Sequence, residues 1–306
     1  VVEAVAVGNS HGAVIEFSEL GVPGMYFTMA GQDAFEGAYL TRYAMRAPRL
    51  KYVLFAASYG VQRKDHAVVT RADVRSRRRG LYARTPLQRP IAGDWSLWIG
   101  GMLAPVVRED HWKCVIERPI RKREPIVLRE DGGPTNSRVR PPLSRDSLLR
   151  YGTAVAAQHQ RLGDETFALA PDVPVRVAAT LDSLARDLRA RGVVLVLYTP
   201  PYHESYLRAQ DPAVNAEAHA VMGRIAADNS NVVWLDYSTD PRFRERDDLF
   251  SNSDHLNRTG GRAFSRLLGQ CLRPSLAGSR PTPQTPGCPV APAQPQASAT
   301  GAPVPR

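Results

Sequence analysis

Two short polar stretches near opposite ends of the chain hold the residue types that acyl transfer needs. One is Gly8-Asn9-Ser10-His11-Gly12 and the other is Ser253-Asp254-His255-Leu256-Asn257. A serine hydroxyl is a poor nucleophile near neutral pH until an imidazole accepts its proton. That imidazole in turn needs a carboxylate to fix its tautomer and stabilise its charged form. These residue types make Ser10 the candidate nucleophile, His255 the base and Asp254 the acid. The developing oxyanion needs N–H donors, and the backbone amides of Ser10 and of Gly31, a glycine in Met29-Ala30-Gly31-Gln32, can supply them. The two stretches can meet only if the fold brings both loops to one edge.

The intervening pattern predicts such a fold. Ala4-Val5-Ala6-Val7 is a short apolar run ending in a glycine turn, the form of a buried strand, with a helix expected over 13–20. Runs at 25–30, 50–56, 193–199 and 232–236 read the same way, and that at 193–199 is apolar throughout, as in a strand buried on both faces. Helical spacing is expected over 34–46, 173–191, 212–228 and 260–272, with Gly192 capping the second of these. Alternation of this kind predicts an α/β fold, a three-layer α/β/α sandwich around a central parallel sheet. In such sheets functional groups gather at the carboxyl ends of the strands, which would place Ser10, Gly31, Ser58 and His203 on one edge.

The 306 residues, 43% of them hydrophobic, suffice for one domain over 1–273. The Pro/Ala-rich remainder, 274–306, is expected to be disordered. Residues 61 to about 160 break the rhythm and read as a long basic insertion over the active edge, helical from Ser147 to Arg161. The part from 61 to 150 holds 20 Lys and Arg against 10 Asp and Glu, the whole of the chain's net charge of +10. Two readings stand: a surface for an anionic envelope polymer or membrane face, and a solvated Arg-rich insertion. Nucleic acid is not expected, because the run Asp73–Gly80 lacks interleaved aromatics. Trp95 and Trp98 are expected to be local core. No His, Cys or acid cluster has metal-ligand spacing, so neither metal nor cofactor is expected. Cys271 and Cys288 can close a disulfide, which requires an oxidising compartment. The chain opens inside a core strand, so an export or anchor segment is expected ahead of it.

The motifs together resemble the SGNH (GDSL-like) hydrolase superfamily. Gly8-Asn9-Ser10-His11 looks like its serine block, Met29-Ala30-Gly31-Gln32 like its glycine block, and Ser253-Asp254-His255-Leu256-Asn257 with Gly260 like its terminal block. Phe27–Gln32, Leu50–Phe55, Tyr198–Tyr202 and Asp254–Asn257 are similar to envelope-associated bacterial members linked to glycan O-acylation. The resemblance covers 3–60 and 175–272 and leaves the insertion outside. It implies an extracytoplasmic serine esterase or acyltransferase acting on O-acyl groups of a carbohydrate or lipid-linked glycan. His11, Gln32, His203 and Asn252 are then expected to contact substrate. The chain departs from the family at two places. The usual acid, three positions before the histidine, is Asn252 here, leaving Asp254 or a Ser-His dyad. The usual oxyanion asparagine is replaced in Ala57-Ser58-Tyr59-Gly60, where Ser58 is the available donor. A catalytically degenerate domain, binding an anionic glycan or an assembly partner through the insertion, is the alternative these departures raise.

Overall fold

A computed structural model describes residues 2–68, 78–82, 88–91, 93–100, 143–276 and Cys288. Five strands, β1 (Ala4–Gly8), β2 (Gly24–Thr28), β3 (Tyr52–Ala56), β4 (Val194–Thr199) and β5 (Val232–Asp236), form one sheet of order β2-β1-β3-β4-β5. Every pairing is parallel, with Val7 beside Phe27 on one side and Phe55 on the other. The protein is therefore α/β, with helices on both faces of the sheet. Side chains of a strand alternate between faces, and the core divides accordingly. Val5, Val7, Val53, Phe55, Leu195 and Leu197 pack under α2 (Ala34–Ala44), α4 (Val173–Arg189) and α6 (Pro212–Asp228). Ala4, Ala6, Leu54, Val196 and Tyr198 face α1 (Phe17–Leu20) and α8 (Arg258–Leu276). A sheet covered on both faces explains why its strands read as unbroken apolar runs.

The strand order reverses between β1 and β3, since the chain leaves β1 for β2 on one side and returns for β3 on the other. In open parallel sheets that point leaves a crevice at the carboxyl edge. Ser10 follows β1 directly and so stands at its mouth.

Several elements differ from the sequence expectation. In place of one helix over 13–20 there is a 3-10 turn, Ser10–Val14, and the separate α1. Ile15 between them is extended and fully buried, so packing it overrides helix continuation. Helix α2 stops at Ala44, short of 46, ahead of the constraint imposed by Pro48. The insertion helix, α3 (Arg145–Leu169), outruns its expected end at Arg161 by two turns. Gly192 does adopt the left-handed conformation expected of a cap, φ +69°. Trp98 packs against the core, but Trp95 is 51% exposed and is not core. A small antiparallel hairpin, β6 (Phe250–Asn252) and β7 (His255–Leu256), has no counterpart in the sequence reading. Short helices α5 (Glu204–Arg208) and α7 (Pro241–Arg244) and a 3-10 turn, Asp247–Leu249, complete the described elements outside the insertion.

At the end of the domain α8 continues to Leu276, three residues into the tail expected to be disordered. Cys271 is bridged to Cys288, with Cα atoms 5.5 Å apart. The remainder of the tail lies outside the described residues, as does the part of the basic run up to Arg77. Arg78, the first described residue of that run, is fully buried.

Candidate active site

The turn after β1 is fixed by backbone chemistry. Gly8 has φ +113°, and a Cβ there would lie 3.0 Å from the Cβ of Ala56, so glycine alone fits. The Asn9 side chain then locks the turn. Its Oδ1 accepts the His11 backbone N–H at 3.1 Å, and its Nδ2 donates to the Ser58 hydroxyl at 2.5 Å. Ser10 is left partly exposed at the edge of the crevice.

The hairpin brings His255 to that serine. Ser10 Oγ lies 2.6 Å from His255 Nε2. The other ring nitrogen, Nδ1, is 3.1 Å from Asn252 Oδ1, which also accepts the backbone N–H groups of Asp254 (3.2 Å) and His255 (2.7 Å). Those backbone donors identify the Asn252 atom as the carbonyl oxygen, so Nδ1 must carry the proton and Nε2 is bare. This is the tautomer that can take a proton from Ser10.

Asp254 lies in the hairpin turn, 1% exposed, with Oδ1 2.9 Å from His255 Nδ1. The contact lies outside hydrogen-bond direction and becomes an ion pair only when the ring is protonated, and neither carboxylate oxygen has a hydrogen-bond donor among the described residues. Asp254 thus supplies charge while Asn252 supplies the directed acceptor. Burial alone would raise the Asp254 pKa, but contacts with His11 and His255 hold it well below the carboxylate range. A hairpin turn solves the problem of adjacent side chains: Asp254 sits at the corner and His255 on the strand beyond it.

His11 completes the group. It is 3% exposed, its ring stacks on His255 at 4.4 Å and 26°, and its Nε2 faces Asp254 Oδ2 at 3.5 Å. Its Nδ1 points to Asn9 Oδ1 at 3.0 Å. Burial, and then the neighbouring His255, push its pKa below the ordinary imidazole value.

Other expected site residues have different tasks. Gln32, expected to touch substrate, is 1% exposed; its Oε1 accepts the Gly8 N–H at 2.5 Å and its Nε2 donates to the Phe27 carbonyl. It ties the ends of β1 and β2 together. His203 is fully buried, its nitrogens bound to Ser205 and Asp247, so it too is structural. Ser58 is 2% exposed and braces Asn9 rather than facing the crevice. Asn252 and His11, also expected to touch substrate, contact His255 and Asp254. The backbone N–H groups of Ser10 and Gly31 have no acceptor among the described residues, and Gly31 is exposed with φ +69°.

Sequence reasoning missed three supports. Asn9 was legible only as a turn former. His66 holds the Gly31 carbonyl with its ring while its backbone N–H donates to Asp33 at 2.9 Å. His159, from α3, bonds the Tyr206 hydroxyl at 2.7 Å beside the same site. Nothing in the sequence marks either histidine, because each meets its partner across tens of residues.

Ligand atoms of His11, Asp254 and His255 lie within 4.8 Å of one another, as do those of Asp33, Glu36 and His66. In the first group the stacked rings set their nitrogens side by side on separate carboxylate oxygens, which suits two pairings better than one shared cation. In the second, Asp33 and Glu36 cap α2 reciprocally and both pair with Arg78. Comparison with protein-family models, with curated proteins and with solved structures found no match.

Proposed function

We propose that this protein is a serine esterase or acyltransferase of the SGNH type, working on O-acyl groups of a carbohydrate or lipid-linked glycan outside the cytoplasm. The observation that carries the reading is the 2.6 Å contact between Ser10 Oγ and a His255 nitrogen whose tautomer is set by Asn252. In the proposed cycle Ser10 Oγ attacks the ester carbonyl carbon as its proton passes to Nε2. The Ser10 and Gly31 amides hold the oxyanion, and Asp254 stabilises the imidazolium. Collapse expels the alcohol, which takes the proton from Nε2, and leaves acyl-Ser10. Water or a sugar hydroxyl then attacks that ester, again through Nε2, and restores the serine. The glycan substrate rests on the motif resemblance, and the compartment on the Cys271–Cys288 bridge, which persists where conditions are oxidising.

One observation favours the alternative of a degenerate binding domain. With Ser58 engaged by Asn9, the oxyanion has two backbone donors and no side-chain donor among the described residues; a missing donor typically costs about 10² to 10³ in rate. A serine-directed fluorophosphonate probe and p-nitrophenyl acetate separate the two. Labelling and hydrolysis that disappear in Ser10→Ala are expected. Well-folded protein that neither labels nor hydrolyses in a Ser10-dependent way refutes the catalytic reading.

A further inference from the structure

Between α2, α4 and the strap at 88–91 lies a cavity of about 800 Å³, a size that suits a bound ligand. Its lining holds five arginines, Arg42, Arg46, Arg78, Arg89 and Arg176, against one acid, Asp65. They are unequally satisfied. At the inner end Arg78 is surrounded by carboxylates, and Arg176 pairs with Asp65 and Asp172. At the outer end Arg42 binds Asp187 and Ser183 through two of its nitrogens. Arg46 lies over the Tyr43 ring at 4.9 Å and, like the exposed Arg89, has no carboxylate partner among the described residues. A guanidinium carries five N–H donors in a planar fork suited to carboxylates. Arg42 stands in the last turn of α2 and Arg46 two residues beyond the helix end, so both line the same end of the cavity.

We propose that this cavity binds an acidic oligosaccharide, with its carboxylates on Arg42, Arg46 and Arg89 and its rings against Tyr39, Pro90 and Ile91. The site is concave, whereas a membrane surface would meet cations on a convex face. A small inorganic anion would leave the apolar lining unfilled. The place also fits a long substrate: Asp65 and Ala67, on the cavity wall, flank His66, whose ring holds the Gly31 carbonyl. The cavity wall is thus joined through His66 to Gly31, the proposed oxyanion donor. The basic insertion contributes through this cavity wall, with Arg78 turned inward as its anchor.

Calorimetric titration with tetragalacturonate tests the proposal, with maltotetraose as the neutral control and inorganic phosphate as the free-anion control. Binding to the wild type that weakens as salt rises is expected, together with unchanged binding by Ser10→Ala, so that loss of the catalytic reading would leave this result standing. The exposed pair Arg46→Glu/Arg89→Glu should bind at least tenfold more weakly with an unchanged melting curve. Should that variant melt early, Arg46→Gln/Arg89→Gln should still lose several-fold. No binding of tetragalacturonate, equal binding by the folded charge variants, equal binding of maltotetraose, or phosphate binding as tightly as the oligosaccharide would each overturn it.

Discussion

The rings of His11 and His255 stack 4.4 Å apart, and the single carboxylate of Asp254 faces a nitrogen of each. Two stacked imidazolium ions would repel, so a charge on one ring disfavours a charge on the other. Burial lowers the His11 pKa, which in the proposed cycle leaves the Asp254 charge to His255.

This division of labour predicts unequal costs. Asp254→Asn should lower kcat by about 10² to 10⁴, the range for losing acid-base support, whereas Asn252→Ala should cost about tenfold. His11→Gln should also cost about tenfold in kcat with little change in KM. Because His11 acts through Asp254, the double variant His11→Gln/Asp254→Asn should be no worse than Asp254→Asn alone. Additive losses, or a larger loss for Asn252→Ala than for Asp254→Asn, would show that the charge at 254 is not the acid.

Acid should destabilise the fold before its carboxylates titrate. Burial, and then the charge of Lys64, push His159 down to about 3, and His11 is also lowered. A depressed pKa contributes stability that is complete above the unfolded value near 6.5 and is lost as pH falls toward the folded value. His219 has the opposite sign, since its bond to Asp236 raises its pKa and its contribution fades as pH rises. Urea unfolding at pH 7 and 4.5 should therefore show a drop that is about 2 kcal/mol smaller in His159→Asn, at about 1.4 kcal/mol per pKa unit. An unchanged drop would mean that His159 is already protonated in the fold at pH 4.5.

Arg78 pairs with Asp33 and Asp94 at 2.8 Å and with Glu36 at 3.4 Å, all buried. Arg78→Met leaves those carboxylates without their cation, so a loss of about 3–5 kcal/mol is expected in urea unfolding. Arg78→Lys should recover only part of it, because a point charge cannot reproduce the planar fork. Asp33 also receives the His66 N–H, so ester hydrolysis should fall at temperatures where the variant is still folded. A stability loss under 1 kcal/mol would mean that these acids bind protons instead.

Cys271 and Cys288 are separated by 17 positions, and closing a loop of that size contributes about 3 kcal/mol in the chain-entropy account. Cys288→Ser should lower the melting temperature by roughly 6–12 °C, and dithiothreitol should do the same to the wild type but not to the variant. Identical melting of reduced and oxidised wild type would show that the bridge contributes no stability.

The sequence by itself determined the layers and pointed to the two groups proposed to react. Apolar runs buried on both faces can only be central parallel strands, and in a parallel sheet all loops after strands share one edge. Ser10, directly after β1, therefore had to stand on that edge, and the β6–β7 hairpin brings His255 to it. What the fold alone decided is how each polar residue is occupied. The β6–β7 hairpin is too short to carry a period, yet it alone turns Asp254 toward His255. Gln32 and His203 looked like edge residues, and only packing revealed the backbone N–H and the carboxylate that claim them. Arg78 stood in a run that reads as solvated, but Asp33, Glu36 and Asp94 draw it inside. Hydrophobic pattern is local and repeats, so sequence displays it. A buried polar contact depends on one partner brought from far along the chain, and only the tertiary structure supplies that partner.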